Sequence, residues 1–237
     1  MGRPLRIVGI NASPRRKANT ELMVSAALAS AETTAALMGF EPDVELVSLG
    51  GKKISPCLGC DQCAAQRRPC IVNDDWHELA RKLYDPMPQA IVFGSPVYFF
   101  NQNALGRAFM ERCTSLVKQL WDPAFPLEKP DWSTTAAGAV AVGYDRNGGV
   151  EFTLTSILQW FLVMDFVTVG GFYIGGAGWT GMETGRQSVG DDVHGLEAAR
   201  LVGKRVARTG ALLAAGREEL GQASNIDTSW RSMNAPL

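Results

Sequence analysis

Four cysteines stand at positions 57, 60, 63 and 70 of a 237-residue chain, and a fifth, Cys113, lies apart from them. Thiolates separated by two residues can turn toward one point from a single tight loop, and a fourth arriving after a longer excursion closes a four-sulfur cage. Cys57, Cys60, Cys63 and Cys70 are therefore candidate metal ligands. Three occupancies fit the spacing. A [4Fe–4S] cluster uses such closely spaced thiolates. Zinc also accepts four, though usually from two separated pairs. Free or redox-active thiols are the third reading. Cys113 falls on the apolar face of an expected helix and reads as a small buried hydrophobe.

Two further stretches could hold a ligand. Asn11-Ala12-Ser13-Pro14-Arg15-Arg16-Lys17-Ala18-Asn19-Thr20 places hydroxyl, amide and guanidinium groups just before a helical pattern. Free backbone N–H groups and the helix dipole favour an anion there, a phosphate above all. The competing reading is that Ser13 or Thr20 simply caps the helix while Arg15 is solvated. The loop has neither the lysine-bearing form of a nucleoside-triphosphate loop nor G-x-G-x-x-G, which leaves a monophosphate such as that of FMN. Ser95-Pro96-Val97-Tyr98-Phe99-Phe100-Asn101 is a proline-stiffened aromatic stretch suited to the wall of a flat heteroaromatic ring. Taken alone, Tyr98 and Phe99 read rather as core aromatics, since buried aromatics are common and ring-binding ones rare. A third stretch, Gly143 through Gly148 and Gly149, would let the backbone approach a ligand closely.

The elements that must position these groups follow from periodicity. Short apolar runs at 5–10, 44–49, 90–94, 134–142 and 167–174 read as strands. They alternate with helical patterns at 20–38, 76–84, 104–120, 151–163 and 195–220. Leu22, Met23, Ala26, Ala27, Ala31 and Ala35 form the expected buried stripe of the first helix. Asp74-Asp75 and Asp191-Asp192 suit helix starts. The order predicts an α/β fold, a doubly wound five-stranded parallel sheet with helices on both faces and ligand sites at the carboxyl ends of the strands. The expected organisation is one domain over 1–220 with a cysteine-rich loop at 54–73, then a polar tail over 221–237. The segment 121–133 has no clear period and reads as an irregular excursion.

A net charge of −1, with charges of both signs interspersed, offers no basic stripe for nucleic acid. The longest apolar run, about 157–174, is broken by Gln159, Asp165, Thr168 and two glycines, so no membrane span is expected. Residues 1–7 leave no room for a signal peptide's apolar core, which points to the cytoplasm. In a reducing compartment, clustered cysteines are ligands rather than disulfides. His77 and His194 sit singly near helix starts, and neither is a candidate ligand. No catalytic triad, paired catalytic carboxylates or HExxH emerges.

Taken together, Asn11-Ala12-Ser13-Pro14-Arg15 with Asn19-Thr20, Gly94 through Phe99, and Asn147-Gly148-Gly149 resemble the flavodoxin-like NAD(P)H-dependent FMN reductases. With the cysteines added, the chain is most similar to the iron–sulfur flavoproteins of that superfamily, over roughly residues 5–210. Ala18 stands where the family often has glycine. The resemblance implies that Ser13, Arg15, Asn19 and Thr20 hold the FMN phosphate. It implies that Pro96, Val97, Tyr98, Phe99 and Asn101 line the flavin, with Tyr144, Gly148 and Gly149 completing the ring site. It further implies an oxidoreductase passing electrons between a [4Fe–4S] cluster, FMN and a small-molecule acceptor or ferredoxin-like protein, with NAD(P)H as a candidate co-substrate. The flavin then carries the chemistry, and no catalytic side chain is needed. Two alternatives remain open: a cluster-free NAD(P)H-dependent quinone or FMN reductase, and a non-catalytic flavin redox carrier or sensor. Assembly as a homodimer or homotetramer is also implied, with exposed Trp and Phe residues of 121–133 as candidate contacts.

Overall fold

The computed structural model describes residues 2–66, 68–117, 130–145, 148–171, 174–180 and 188–221. Trp121 and Phe125, Asn147, and the tail beyond 221 lie outside them. Five parallel strand positions build the sheet. β1 (Arg3–Asn11) pairs with β2 (Phe40–Ser48) on one side and β3 (Ala90–Tyr98) on the other. β3 pairs in turn with β5 (Ala136–Gly143). The fifth position is filled twice, by β6 (Val167–Thr168) at the start of β5 and by β7 (Gly176–Trp179) at its end. The sheet thus has seven strands counted singly, because β4 (Asn101–Gln102) folds back antiparallel on the end of β3. Counting the split position once, the order 2-1-3-4-5 is the winding of flavodoxin-type sheets.

Two differences from the expected elements have a common cause. The strand expected over 167–174 stops at Thr168, and Gly176-Ala-Gly-Trp179, which reads as loop on propensity, pairs with β5 instead. Backbone pairing offered by a neighbouring strand overrides weak local preference. Likewise Ser95 to Tyr98 continue β3, and only Phe99 and Phe100 form the turn into β4.

β5 is all apolar and buried throughout, and β3 is buried from Ala90 to Ser95, so helices must cover both faces. α1 (Asn19–Leu37) and α7 (Val193–Leu220) cover one face. α2 (Gln62–Ala65) is a single turn within the cysteine loop. α3 (Trp76–Arg81), α4 (Ala104–Arg112) and α6 (Val150–Val163) cover the other face, which carries the aromatic core of Phe93, Phe109, Trp160, Phe161 and Phe166. Val24 and Leu28 join the buried stripe of α1, whereas Leu22 is exposed. Small residues bring α1 and α7 together: a Cβ at Gly203 would lie 1.9 Å from the Ala27 carbonyl oxygen. The expected helix over 104–120 ends at Arg112, and a short α5 (Thr114–Val117) follows.

Trp132 is not one of the exposed contact residues expected within 121–133. It is fully buried, packed against Phe166, and its indole N–H donates to the Leu83 carbonyl at 2.7 Å. An aromatic with a satisfied polar tip is worth more inside than at the surface. Among the described residues no helix is long and apolar enough to cross a membrane.

Candidate functional site

Because the five positions run parallel, the loops after β1, β2, β3 and β5 emerge at one sheet edge. In the first loop Ser13 is buried, its amide donates to Asn11 Oδ1 at 3.0 Å, and its hydroxyl accepts the Arg15 amide at 3.1 Å. The loop is held from behind by Glu21, which accepts from the Lys17 amide and Asn11 Nδ2 at 3.1 Å each. The N-cap of α1 is Ala18, with no side-chain cap. The reading that Ser13 or Thr20 caps this helix is therefore not met, and no side chain caps its first turn. Arg15 is exposed beside that turn. Asn19 turns its Oδ1 to the Val189 amide at 3.1 Å and the Ser188 hydroxyl at 3.3 Å, so its carbonyl side is committed to the fold. Thr20 is buried with its methyl group toward Gly94.

The aromatic stretch stands outside the core. Tyr98 is half-exposed, and Phe99 and Phe100 are exposed on the β3–β4 turn, where both take positive φ, 48° and 66°. Two bulky residues in the left-handed region carry strain of the kind found at ligand sites. Pro96 and Val97 are partly buried at the strand end, and Asn101 is exposed. Tyr144 is exposed on the neighbouring loop, where Gly148 is partly buried. Gly149 adopts φ 97°, and a Cβ there would come within 2.4 Å of the Phe100 carbonyl. Its missing side chain lets the third loop lie directly on the aromatic turn. Gly149→Ala is accordingly expected to disturb both loops: the left-handed backbone alone costs about 1–2 kcal/mol, and the collision adds to it. The check is FMN affinity by fluorescence titration, expected to weaken by about tenfold or more.

These loops are stitched together by residues that sequence reasoning passed over. Asn103, buried at the start of α4, donates from Nδ2 to the Ala12 carbonyl at 2.8 Å and accepts from the Ser95 hydroxyl at 3.1 Å. It therefore joins the phosphate-type loop to the aromatic hairpin. Arg16 donates from Nε to the Gly50 carbonyl at 2.9 Å, and the Leu49 amide donates to the Asn11 carbonyl at 2.9 Å. Both tie the first loop to the root of the cysteine loop.

Cys57, Cys60, Cys63 and Cys70 line one cavity of about 80 Å³, with Val72, Arg112 and Ser115 in its wall. Cys57 and Cys60 are exposed and Cys63 and Cys70 partly so. Burial pushes the Cys63 thiol above its usual range and the neighbouring Cys70 and Cys57 push the same way, against the Ala64 amide. Among the described residues no three His, Cys, Asp or Glu side chains converge closely enough for a single metal ion. Cys113 is fully buried at the C-terminal cap of α4, its thiol raised by burial and directed to the Phe109 carbonyl at 3.4 Å. His77 pairs with the Val72 carbonyl at 3.0 Å, outside the cysteine set.

The base of the cysteine loop is closed by a buried ion pair. Arg112 Nη1 lies 2.9 Å from Asp74 Oδ2, with both side chains almost wholly buried. Asp74 also accepts the Ser55 amide at 2.8 Å and the Trp76 amide at 3.1 Å. Burial would raise the Asp74 carboxyl, but the Arg112 guanidinium and these two amides outweigh it and hold it below the usual carboxylate range. Asp74 thus does more than start a helix.

A doubly wound sheet with an uncapped helix N-terminus, an exposed aromatic turn and a glycine-backed loop at its carboxyl edge is an arrangement suited to a cofactor with a phosphate and a flat ring. The profile of the NADPH-dependent FMN reductase family matches residues 5–180. The chain belongs to that family and is a flavin-dependent oxidoreductase. An iron–sulfur flavoprotein of Methanocaldococcus jannaschii is 35% identical over 213 residues, covering 88% of this chain and 99% of its own. One from Archaeoglobus fulgidus is 35% identical over 204 residues, covering 85% and 95%. A flavodoxin, WrbA-like protein from Agrobacterium tumefaciens shares the fold with a TM-score of 0.53 at 18% identity, covering 89% and 98%. The resemblance read from the sequence is borne out.

Proposed function

We propose that this chain is an FMN-dependent oxidoreductase that also carries a [4Fe–4S] cluster on Cys57, Cys60, Cys63 and Cys70, and exchanges single electrons between the two. One observation carries the reading: the four cysteines line a single cavity on a loop rooted, through Arg16 and Leu49, beside the phosphate-type loop. A cubane takes one thiolate at each of its four irons, and these four cysteines would supply all of them. The name iron–sulfur flavoprotein borne by relatives covering most of this chain supports it.

When bound, FMN supplies hydride and single-electron chemistry, and the cluster supplies single-electron transfer. The chain's own groups do the rest. The α1 N-terminus with Ser13, Arg15, Asn19 and Thr20 would receive the phosphate, Asn19 and Thr20 through backbone N–H groups. Pro96, Val97, Tyr98, Phe99 and Asn101 would wall one side of the ring, and Tyr144, Gly148 and Gly149 the adjoining side. Asn103 holds the phosphate and ring walls in register. α4 starts at the ring hairpin and ends in the cysteine cavity wall, and its nine residues span roughly 12 Å. The donor would be a ferredoxin-like protein or NAD(P)H, the acceptor a small molecule, and the working unit a homodimer or homotetramer.

Anaerobic purification followed by flavin, iron and acid-labile sulfide assays tests this reading. FMN with matching iron and sulfide is the expected result, and FMN with no iron rejects the cluster. The description of the matched family favours one second reading, an NADPH-dependent reductase working without the cluster. Rapid NADPH oxidation by iron-free protein would establish it.

A further inference from the structure

We propose that Arg112 is a positioning and potential-setting residue for the cysteine-bound cluster, with Asp74 as its counterweight. The inference rests on the cluster reading above. Arg112 ends α4 fully buried, in the wall of the cavity that the four cysteines line. Its Nη1 donates to the Ser55 carbonyl at 3.2 Å and its Nη2 to the Val72 carbonyl at 3.0 Å. Ser55 precedes the first cysteine of the set by two residues and Val72 follows the last by two. One guanidinium therefore clasps both ends of the loop. Asp74 reinforces the clasp by accepting the Ser55 amide at 2.8 Å, and the Trp76 ring holds the guanidinium carbon 4.9 Å from its centroid. A planar fork with several fixed donors can do this, and lysine cannot.

The same geometry has an electrostatic consequence. Four thiolates and a cubane form an anionic assembly, and reduction adds one electron and one further negative charge, with a low-potential one-electron carrier as donor. A positive charge in the cavity wall stabilises the reduced form more than the oxidised form, and in a poorly solvated place the interaction is little screened. Arg112 Nε is buried without a hydrogen-bond partner among the described residues, so part of the guanidinium is not satisfied by the loop it clasps. Asp74, paired with Arg112 but not among the residues lining the cavity, opposes that charge. Removing either one leaves the other uncompensated beside the cluster, and the two removals must act in opposite directions.

The experiment is mediated redox titration of the anaerobically purified holoprotein, followed by the paramagnetic resonance of the reduced cluster, in wild type, Arg112→Gln, Arg112→Lys, Asp74→Asn and the Arg112→Gln/Asp74→Asn pair. Arg112→Gln is expected to shift the cluster to more negative potential and Asp74→Asn to more positive potential. Each shift should reach about tenfold in the reduced-to-oxidised ratio, ~59 mV for a one-electron couple. The double variant should return near wild type, Arg112→Lys should shift less than Arg112→Gln, and the flavin potential should stay put. Shifts of the same sign, or none, overturn the potential-setting role. The clasp is read without the cluster, from maleimide labelling of apoprotein cysteines. Arg112→Lys and Arg112→Gln should label several-fold faster than wild type, and an unchanged rate overturns the positioning role. Wild-type protein that retains FMN but takes up no iron sinks the cluster reading and the potential-setting role with it, while the labelling rates still decide the clasp.

Discussion

Asp74→Ala is expected to lower the unfolding free energy of the purified chain by about 3–5 kcal/mol, because it strips the one carboxylate that pairs with the buried Arg112 guanidinium among the described residues and leaves a charge in the interior. Set against a usual total of about 5–15 kcal/mol, that loss is large. Three supports go at once: the ion pair, the Ser55 amide acceptor and the Trp76 amide acceptor. Replacing both partners by apolar groups, Asp74→Leu with Arg112→Met, is expected to cost less than Asp74→Ala alone, since no buried charge then remains. Urea unfolding followed by tryptophan fluorescence measures all of these, and Trp76 lies against the pair as a reporter. A loss under about 1 kcal/mol would place the pair among solvated ones.

The same carboxylate sets a pH dependence. Its folded-state pKa is depressed, so its contribution is fully present above the unfolded value, about 3.9, and disappears as pH falls through the lower folded value. Wild type should therefore lose stability on acidification below about pH 4 more steeply than Asp74→Asn does. Equal slopes would show that Asp74 does not report the acid transition.

How much of this was legible in the sequence depends on whether a residue acts locally or through the fold. The cysteine spacing, the strand-loop-helix order and the polar run before α1 are local patterns, and each lies at the sheet edge where it was expected. The type of Tyr98 or Phe99 does not reveal its side of a turn, and the exposed turn beside Tyr98, with positive φ at Phe99 and Phe100, depends on pairing between β3 and β4. Trp132 was misplaced for the converse reason: Leu83, which accepts its indole proton, is 49 residues away. Asn103 and Asp74 also act through long-range bonds, to Ala12 and Arg112. Arg112 did leave a trace. Leu105, Ala108, Phe109, Cys113 and Leu116 mark an apolar helical face, and position 112 falls within it. A charged residue on such a face has to be paired or functional, and here it is paired.

Changing any one of Cys57, Cys60, Cys63 or Cys70 to alanine is expected to abolish stoichiometric iron and sulfide while FMN stays bound. Each ligand holds a separate corner of a cubane, so a missing thiolate leaves one iron open and the assembly labile. The loops proposed to hold FMN, by contrast, are joined to the cysteine loop at Gly50 and Leu49 and through Arg112 at the end of α4, and none of these links is a thiol. Cys57 and Cys60 are exposed, so their truncation removes little packing. Cys113→Ala is the matched control: it deletes a fully buried sulfur, costs about 1 kcal/mol, and should leave iron and flavin content as in wild type. The measurement is flavin, iron and sulfide content on each anaerobically purified variant, with the visible spectrum reduced to flavin bands in the four loop variants. Loss of FMN together with iron would mean that the cysteine loop belongs to the flavin site itself. Retention of iron in any loop variant would remove that cysteine from the ligand set.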